Sequence, residues 1–240
     1  MSSRSSPPPL QHLRHLLIAC GLAALAVACA STGLDDAIAH AVFDPAAGVF
    51  PARRSDALEL FGHRLAKSAV WIVWFVLLAA AIASHRVAAL APWRRVLWST
   101  TAAVALGPLA VSTLKLYTGP RCPWDLVEFG GHWAAATDLF TGRADAGRCF
   151  PSGHASGGYA LLSLHFAGAA LGSARLGRAG LWIGVVAGTA FGAVRIAQGA
   201  HFLSHNVWAA AIAWTAAALV FAIAYPASRA GARVSRTRVA

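Results

Sequence analysis
Six apolar runs, near residues 14–31, 68–85, 96–114, 155–173, 180–198 and 207–225, leave this chain few ways to fold. A membrane-crossing helix needs about 20 mostly apolar residues, and each run approaches or reaches that length. Only 12% of the residues are charged and 58% are hydrophobic. A soluble domain carries about 25% charged residues. The pattern predicts an all-α protein, a six-transmembrane-helix bundle spanning 14–225. It is flanked by a disordered tail at 1–13 and a basic tail at 226–240. Arg4 and Arg14 precede the first run as in a signal peptide, but cleavage there would leave five spans and break the charge pattern described next.

Charge sets the orientation. With both termini on one side, that side holds eleven Lys or Arg residues and no acid, and all nine Asp and Glu fall on the other. Nine Lys and Arg lie with the acids, so the bias is modest. The short loops and the tail nevertheless place the termini in the cytoplasm. The net charge of +11 would suggest nucleic acid in a soluble protein. Here no nucleic-acid motif accompanies it, and it reads as cytoplasmic anchoring plus an anion site. Arg-rich, Lys-poor usage fits a GC-rich bacterium, hence the bacterial inner membrane, with the outer loops facing the periplasm.

Three polar clusters fall on that outer face. "KLYTGPRCPWD" carries Lys115 and Arg121 just past the third run, with Gly119, Pro120 and Pro123 enforcing a turn. "RCFPSGHASGG" opens the fourth run. Pro151 and Ser152 suit a helix start. His154, followed by small residues, is not explained that way. Free N–H groups at a helix start, with small side chains around them, let an anion approach. "RIAQGAHFLSHNVW" carries Arg195, His201 and His205. The two His could bind a metal with His154 or His132 as a third ligand, but no acidic or Cys partner has the usual spacing. Cations that hold phosphate, beside His that can serve as nucleophile and acid, suggest phosphoryl transfer at a membrane surface. Trp124, Phe129, Trp133 and Phe140, in the loop between the first two clusters, fit an interfacial aromatic belt.

These clusters resemble the type 2 phosphatidic acid phosphatase superfamily, which also includes the vanadium haloperoxidases. Its pattern is Lys, six residues, Arg-Pro; then Pro-Ser-Gly-His; then Ser-Arg, five residues, His, three residues, Asp. Pro151, Ser152, Gly153 and His154 match fully. Arg195 and His201 keep their spacing, with Val194 in place of Ser. Lys115 matches, Arg121 comes one place early, and Cys122 stands at the usual Arg position. The resemblance covers about residues 100–225.

It implies that His201 attacks phosphorus and forms a phospho-histidine, and that His154 protonates the leaving oxygen. Lys115, Arg121, Ser152, the Gly153 N–H and Arg195 would hold the phosphate oxygens. The scheme needs no metal or other cofactor. Substrates in keeping with it are phosphatidic acid, phosphatidylglycerol phosphate, undecaprenyl diphosphate and lipid A phosphates. The departure is His205, where the family has an Asp that orients the nucleophile. A neutral His205 can accept a hydrogen bond from His201 but offers no negative charge, and Asp125 and Asp138 are candidate substitutes. The departure keeps open a lipid-phosphate binding or transport protein, or a lipid phosphotransferase. Cys122 and Cys149 each adjoin a motif on the outer face, and a disulfide between them is expected to tie the two motifs together.

Overall fold
The computed structural model describes residues 9–60 and 66–226, and its regular structure there is helical, with only isolated β-bridges. Helix α1 (Pro9–Ser31) is followed by the short α2 (Leu34–Val42). Gly33, at φ 76°, makes the left-handed turn between them. A 3₁₀ turn at Pro51–Arg54 leads into α3 (Asp56–Glu59), where the Ser55 hydroxyl caps the helix by accepting from the Leu58 N–H at 3.3 Å. Then come α4 (Ala66–Ala83) and α5 (Arg94–Leu114). After a long loop follow α6 (Gly153–Tyr159), α7 (Ser163–Ala170), α8 (Ala174–Ala197) and α9 (Leu203–Ala224). The predicted tails lie largely outside the described residues, and α1 already begins at Pro9.

Among the described residues, four stretches are long and apolar enough to cross a membrane: Leu13–Ser31, Ala88–Leu114, Ala174–Ala197 and Leu203–Ala224. The second predicted span gives a shorter apolar stretch, Ser68–Ala83. The fourth predicted span is not one helix. It is α6, a 3₁₀ turn at Ala160–Leu162, and α7. The run Ser156-Gly157-Gly158 has low helix propensity, which weakens the start of this segment. Large apolar side chains such as Trp71, Ile72, Val76, Leu109, Trp182, Val186 and Ile223 point outward. So much exposed apolar surface suits lipid and not water.

The bundle is held in two ways. Val96, Ala103, Leu162, Phe166, Trp214, Ala217 and Phe221 form an apolar core among α5, α7 and α9. On α8, the buried Gly177, Gly180, Gly184, Gly188 and Gly192 form a stripe three or four residues apart. Gly180 and Gly184 admit the backbone of the broken α6–α7 segment, Gly188 the Tyr159 ring and Gly192 the Asn206 side chain. A Cβ at Gly180 would lie 2.5 Å from the Leu164 carbonyl carbon, and one at Gly184 would lie 2.5 Å from the Leu162 nitrogen. Small residues that let backbones meet are how helices pack where lipid removes the hydrophobic drive.

A smaller core of Ala39, Phe50, Leu126 and Phe129 joins α2 to the loop after α5. Phe129 is therefore a packing residue and not part of an interfacial belt; its ring lies 5.6 Å from that of Phe50. Trp133 and Phe140 are exposed.

Candidate active site
The ends of four helices converge. Lys115 is the C-cap of α5, Ser152 the N-cap of α6, Arg195 sits in the last turn of α8, and His205 in the first turn of α9. His201 lies in the connection between α8 and α9. His205, Lys115, Arg195 and His154 lie close enough to act on it electrostatically. The three sequence clusters thus meet at one end of the bundle. Gly153 borders this gap, with the position of a Cβ on it 3.6 Å from Lys115 Nζ.

Ser152 is fully buried. Its N–H donates to the His205 carbonyl at 3.1 Å, while its hydroxyl makes no capping bond to α6 and has no protein partner. Arg195 donates from Nη1 to Gln198 Oε1 at 2.7 Å and stands 4.0 Å from Glu59 Oε2, while its buried Nε has no protein partner. Its guanidinium also lies 5.3 Å from the centre of the Trp124 ring, which Arg53 approaches at 4.3 Å. Two polar atoms that can engage an anion are therefore buried without a protein bond, which is costly unless something else uses them.

Arg121 is placed differently. Its guanidinium stacks on Trp133, 3.6 Å from the ring centre. Burial, then the positive charge of Arg195, lowers the pKa of Lys115. Burial first, then His205, Lys115, Arg195 and His154, holds the pKa of His201 well below 6.5. His201 is therefore a neutral imidazole at pH 7, the form that can attack phosphorus.

His201 and His205 face each other with ring centroids 5.8 Å apart at 65°. The expected hydrogen bond between them is not made: His205 Nδ1 has no partner, and its ring packs edge-on against Phe150 and Phe202. Cys122 and Cys149 form a disulfide, and Cys149 Sγ lies 3.4 Å from His201 Nδ1. Among the described residues, the one grouping of three metal-donor side chains is Cys122, Cys149 and His201, and its two sulfurs are bonded to each other. His201 and His205 are not joined by His154 or His132 in such a grouping.

A carboxylate bonded to the third cluster comes from α2. Asp35, 7% exposed, accepts from the Ser204 N–H at 2.8 Å and also from the Ser204 hydroxyl. It caps α9 from 169 residues away, next to His205. Burial raises its pKa despite these bonds. Acids are common in first turns, so the Asp35-Asp36 pair reads as the start of α2, and no spacing shows that Asp35 turns inward. Asp35→Ala is expected to cost about 1–3 kcal/mol, because it leaves the buried end of α9 unsatisfied. Asp35→Asn, which keeps an acceptor for Ser204 N–H, should cost less. Thermal unfolding in detergent distinguishes the two.

Beside these groups a cavity of about 600 Å³ runs from Lys115, Gly153 and His154 to Trp71, Trp74 and Leu109, between α4 and α5. One end holds Lys115 and His154, and the other is lined by apolar side chains and Trp rings.

Compared with models of known families, the PAP2 superfamily model matches residues 96–229. This chain belongs to the PAP2 superfamily. The match takes in the three clusters that meet around His201. PAP2 membership supports a phosphatase-type phosphoryl hydrolase acting on a phosphate-bearing substrate. Together with the apolar helices, it supports a multi-pass membrane protein. No curated protein and no solved structure matches the chain.

Proposed function
We propose that this protein hydrolyses a lipid phosphomonoester or pyrophosphate through a phospho-histidine, on the periplasmic face of a bacterial inner membrane. The observation that carries this reading is the cavity that joins Lys115 and His154 to the apolar faces of α4 and α5. A lipid phosphate has that same polarity, charged at one end and apolar along its length. In this reading the chain crosses six times, with α4 as the second crossing and α6–α7 as the fourth, and both termini are cytoplasmic. The 18 residues of 153–170 reach about 27 Å at helical rise, close to a hydrocarbon core of about 30 Å.

His201 Nε2 attacks phosphorus as His154 protonates the leaving oxygen. Lys115, Ser152 Oγ, the Gly153 N–H and Arg195 hold the phosphoryl oxygens, with Arg121 contributing from the loop. His154 then takes a proton from water, and the resulting hydroxide displaces phosphate from His201. Fixed donors aimed at developing charge are usually the largest catalytic contribution. His205 helps to place the site through its carbonyl bond to Ser152.

A second reading is a lipid-phosphate binder, transporter or phosphotransferase, favoured by the absence of the family carboxylate at His205. Turnover separates the two. Detergent-purified protein is expected to release phosphate from at least one of phosphatidic acid, phosphatidylglycerol phosphate, undecaprenyl diphosphate or lipid A, and EDTA should leave the rate unchanged. Binding of these lipids by folded protein without release would sink the hydrolase and support the second reading.

A further inference from the structure
We propose that the Cys122–Cys149 bridge is part of the reaction apparatus: Cys149 Sγ holds the Nδ1–H of His201, and activity depends on the bridge being oxidised. The proposal rests on the reading of His201 as the nucleophile.

The geometry comes first. Cys149 Sγ is 3.4 Å from His201 Nδ1 and 3.1 Å from the Ala200 carbonyl oxygen. Cys149 is fully buried and His201 nearly so, so water does not compete well for this contact. A disulfide sulfur carries no hydrogen. It can only accept, so the contact with Nδ1 is attractive when Nδ1 bears the proton and repulsive when it bears a lone pair. The bridge therefore favours the Nδ1–H tautomer, which leaves the Nε2 lone pair free to attack phosphorus.

Fixing tautomer and orientation is what a carboxylate does for a catalytic His. His205, at the position where the family has that carboxylate, makes no hydrogen bond to His201. The sulfur fills the orienting part of the role. It supplies no charge, so it positions His201 and does not stabilise an imidazolium as an Asp would. The same bond ties Cys122, next to Arg121, to Cys149, three residues before Ser152. One covalent link thus joins the first two clusters and, through Cys149 Sγ, touches the third at His201.

Reduction reverses the chemistry at Nδ1. A dithiol passes two electrons and two protons to the bridge, giving two protein thiols and a cyclic disulfide. The Cys149 thiol now has a proton to donate. It can bond a lone pair on Nδ1, which moves the imidazole proton to Nε2 and removes the nucleophilic lone pair. The reduced sulfurs and a His201 nitrogen also lie within 4.8 Å of one another, a set of donors that could capture zinc, so the assay needs EDTA.

The test uses the full chain in detergent with phosphatidic acid micelles and EDTA. The kcat and KM are measured for oxidised protein, protein reduced with dithiothreitol, reoxidised protein and Cys122→Ser, which keeps the Cys149 sulfur but not the bridge. Reduction and Cys122→Ser should lower kcat at least about tenfold with KM within about twofold, and reoxidation should restore it. The upper bound is the about 10⁴-fold loss seen when a Ser-His-Asp triad loses tautomer control.

A kcat that stays within twofold on reduction would overturn the proposal, as would a loss carried by KM alone. Imidazole ¹⁵N shifts of His201, assigned with His201→Gln, give a readout independent of turnover and of how the reduced form folds. Nδ1–H in the oxidised protein is the expected result, and Nε2–H there overturns the proposal even if no lipid is hydrolysed. Full activity in His201→Gln would instead strike the nucleophile assignment itself.

Discussion

Replacing His201 with alanine is expected to reduce phosphate release by about 10⁴-fold or more while the protein stays folded. A nucleophile that forms a covalent intermediate cannot be replaced by the groups around it, and loss of such a residue in a catalytic unit costs up to about 10⁶-fold. The residual rate would come from the phosphate cradle alone. Arg195→Ala should be milder, about 10²–10³-fold, the usual effect of removing one donor to developing charge.

The burial of His201 adds a pH signature. Its pKa is depressed, so the imidazole is neutral at pH 7 and protonates only well below 6.5. The plot of log kcat/KM for the free enzyme should then show no loss from His201 between pH 7.5 and 6.5. An acid limb centred at 6.5 that disappears in no other variant would place His201 in water and contradict the buried site. The linkage has the same sign for stability. A His whose folded pKa lies below its unfolded value stabilises the fold above pH 6.5, and that contribution is lost as pH falls toward the folded pKa.

The second prediction concerns one methyl group. Gly180→Ala is expected to destabilise the bundle by about 3 kcal/mol, the upper end for overpacking. The added Cβ would lie 2.5 Å from the Leu164 carbonyl carbon and 2.6 Å from the His165 nitrogen. Both are backbone atoms, which cannot rotate away as a side chain would, so α7 must separate from α8. At about 2–4 °C per kcal/mol for a chain of this size, the unfolding midpoint should fall by about 6–12 °C. Gly21→Ala, in α1, provides the contrast. A Cβ there meets nothing within 4 Å, and the better helix propensity of Ala should leave stability unchanged or raise it by up to about 1 kcal/mol. Equal effects at both positions would show that the glycine stripe is not what seats α6–α7.

The sequence made the helical class and the convergence of Lys115, Ser152, His154, Arg195 and His201 readable. Hydropathy marks the runs, and the motif spacings sit at their ends. It did not reveal the break within 155–173, because a hydropathy window sums side chains and is blind to a 3₁₀ turn at Ala160–Leu162. The stacking of Arg121 on Trp133 was not readable from the motif spacing, because it depends on how the loop folds. The acid near the site was sought in the adjoining loop, at Asp125 and Asp138. The structure adds two carboxylates that no local pattern marks, Asp35 on Ser204 and Glu59 4.0 Å from Arg195. Phe129 had the composition of a belt residue and became core because α2 and Phe50 fold against it.

The cavity between α4 and α5 also bears on the direction of the reaction. Under the proposed function, the tail of the substrate rests against Trp71, Trp74 and Leu109 while its phosphate faces Lys115. Cleavage then sends the two products into different phases. The dephosphorylated lipid dissolves sideways into the bilayer, and inorganic phosphate leaves into water. Resynthesis would require both to find the same cleft from opposite solvents, so dilution alone draws the reaction forward without a coupled energy source.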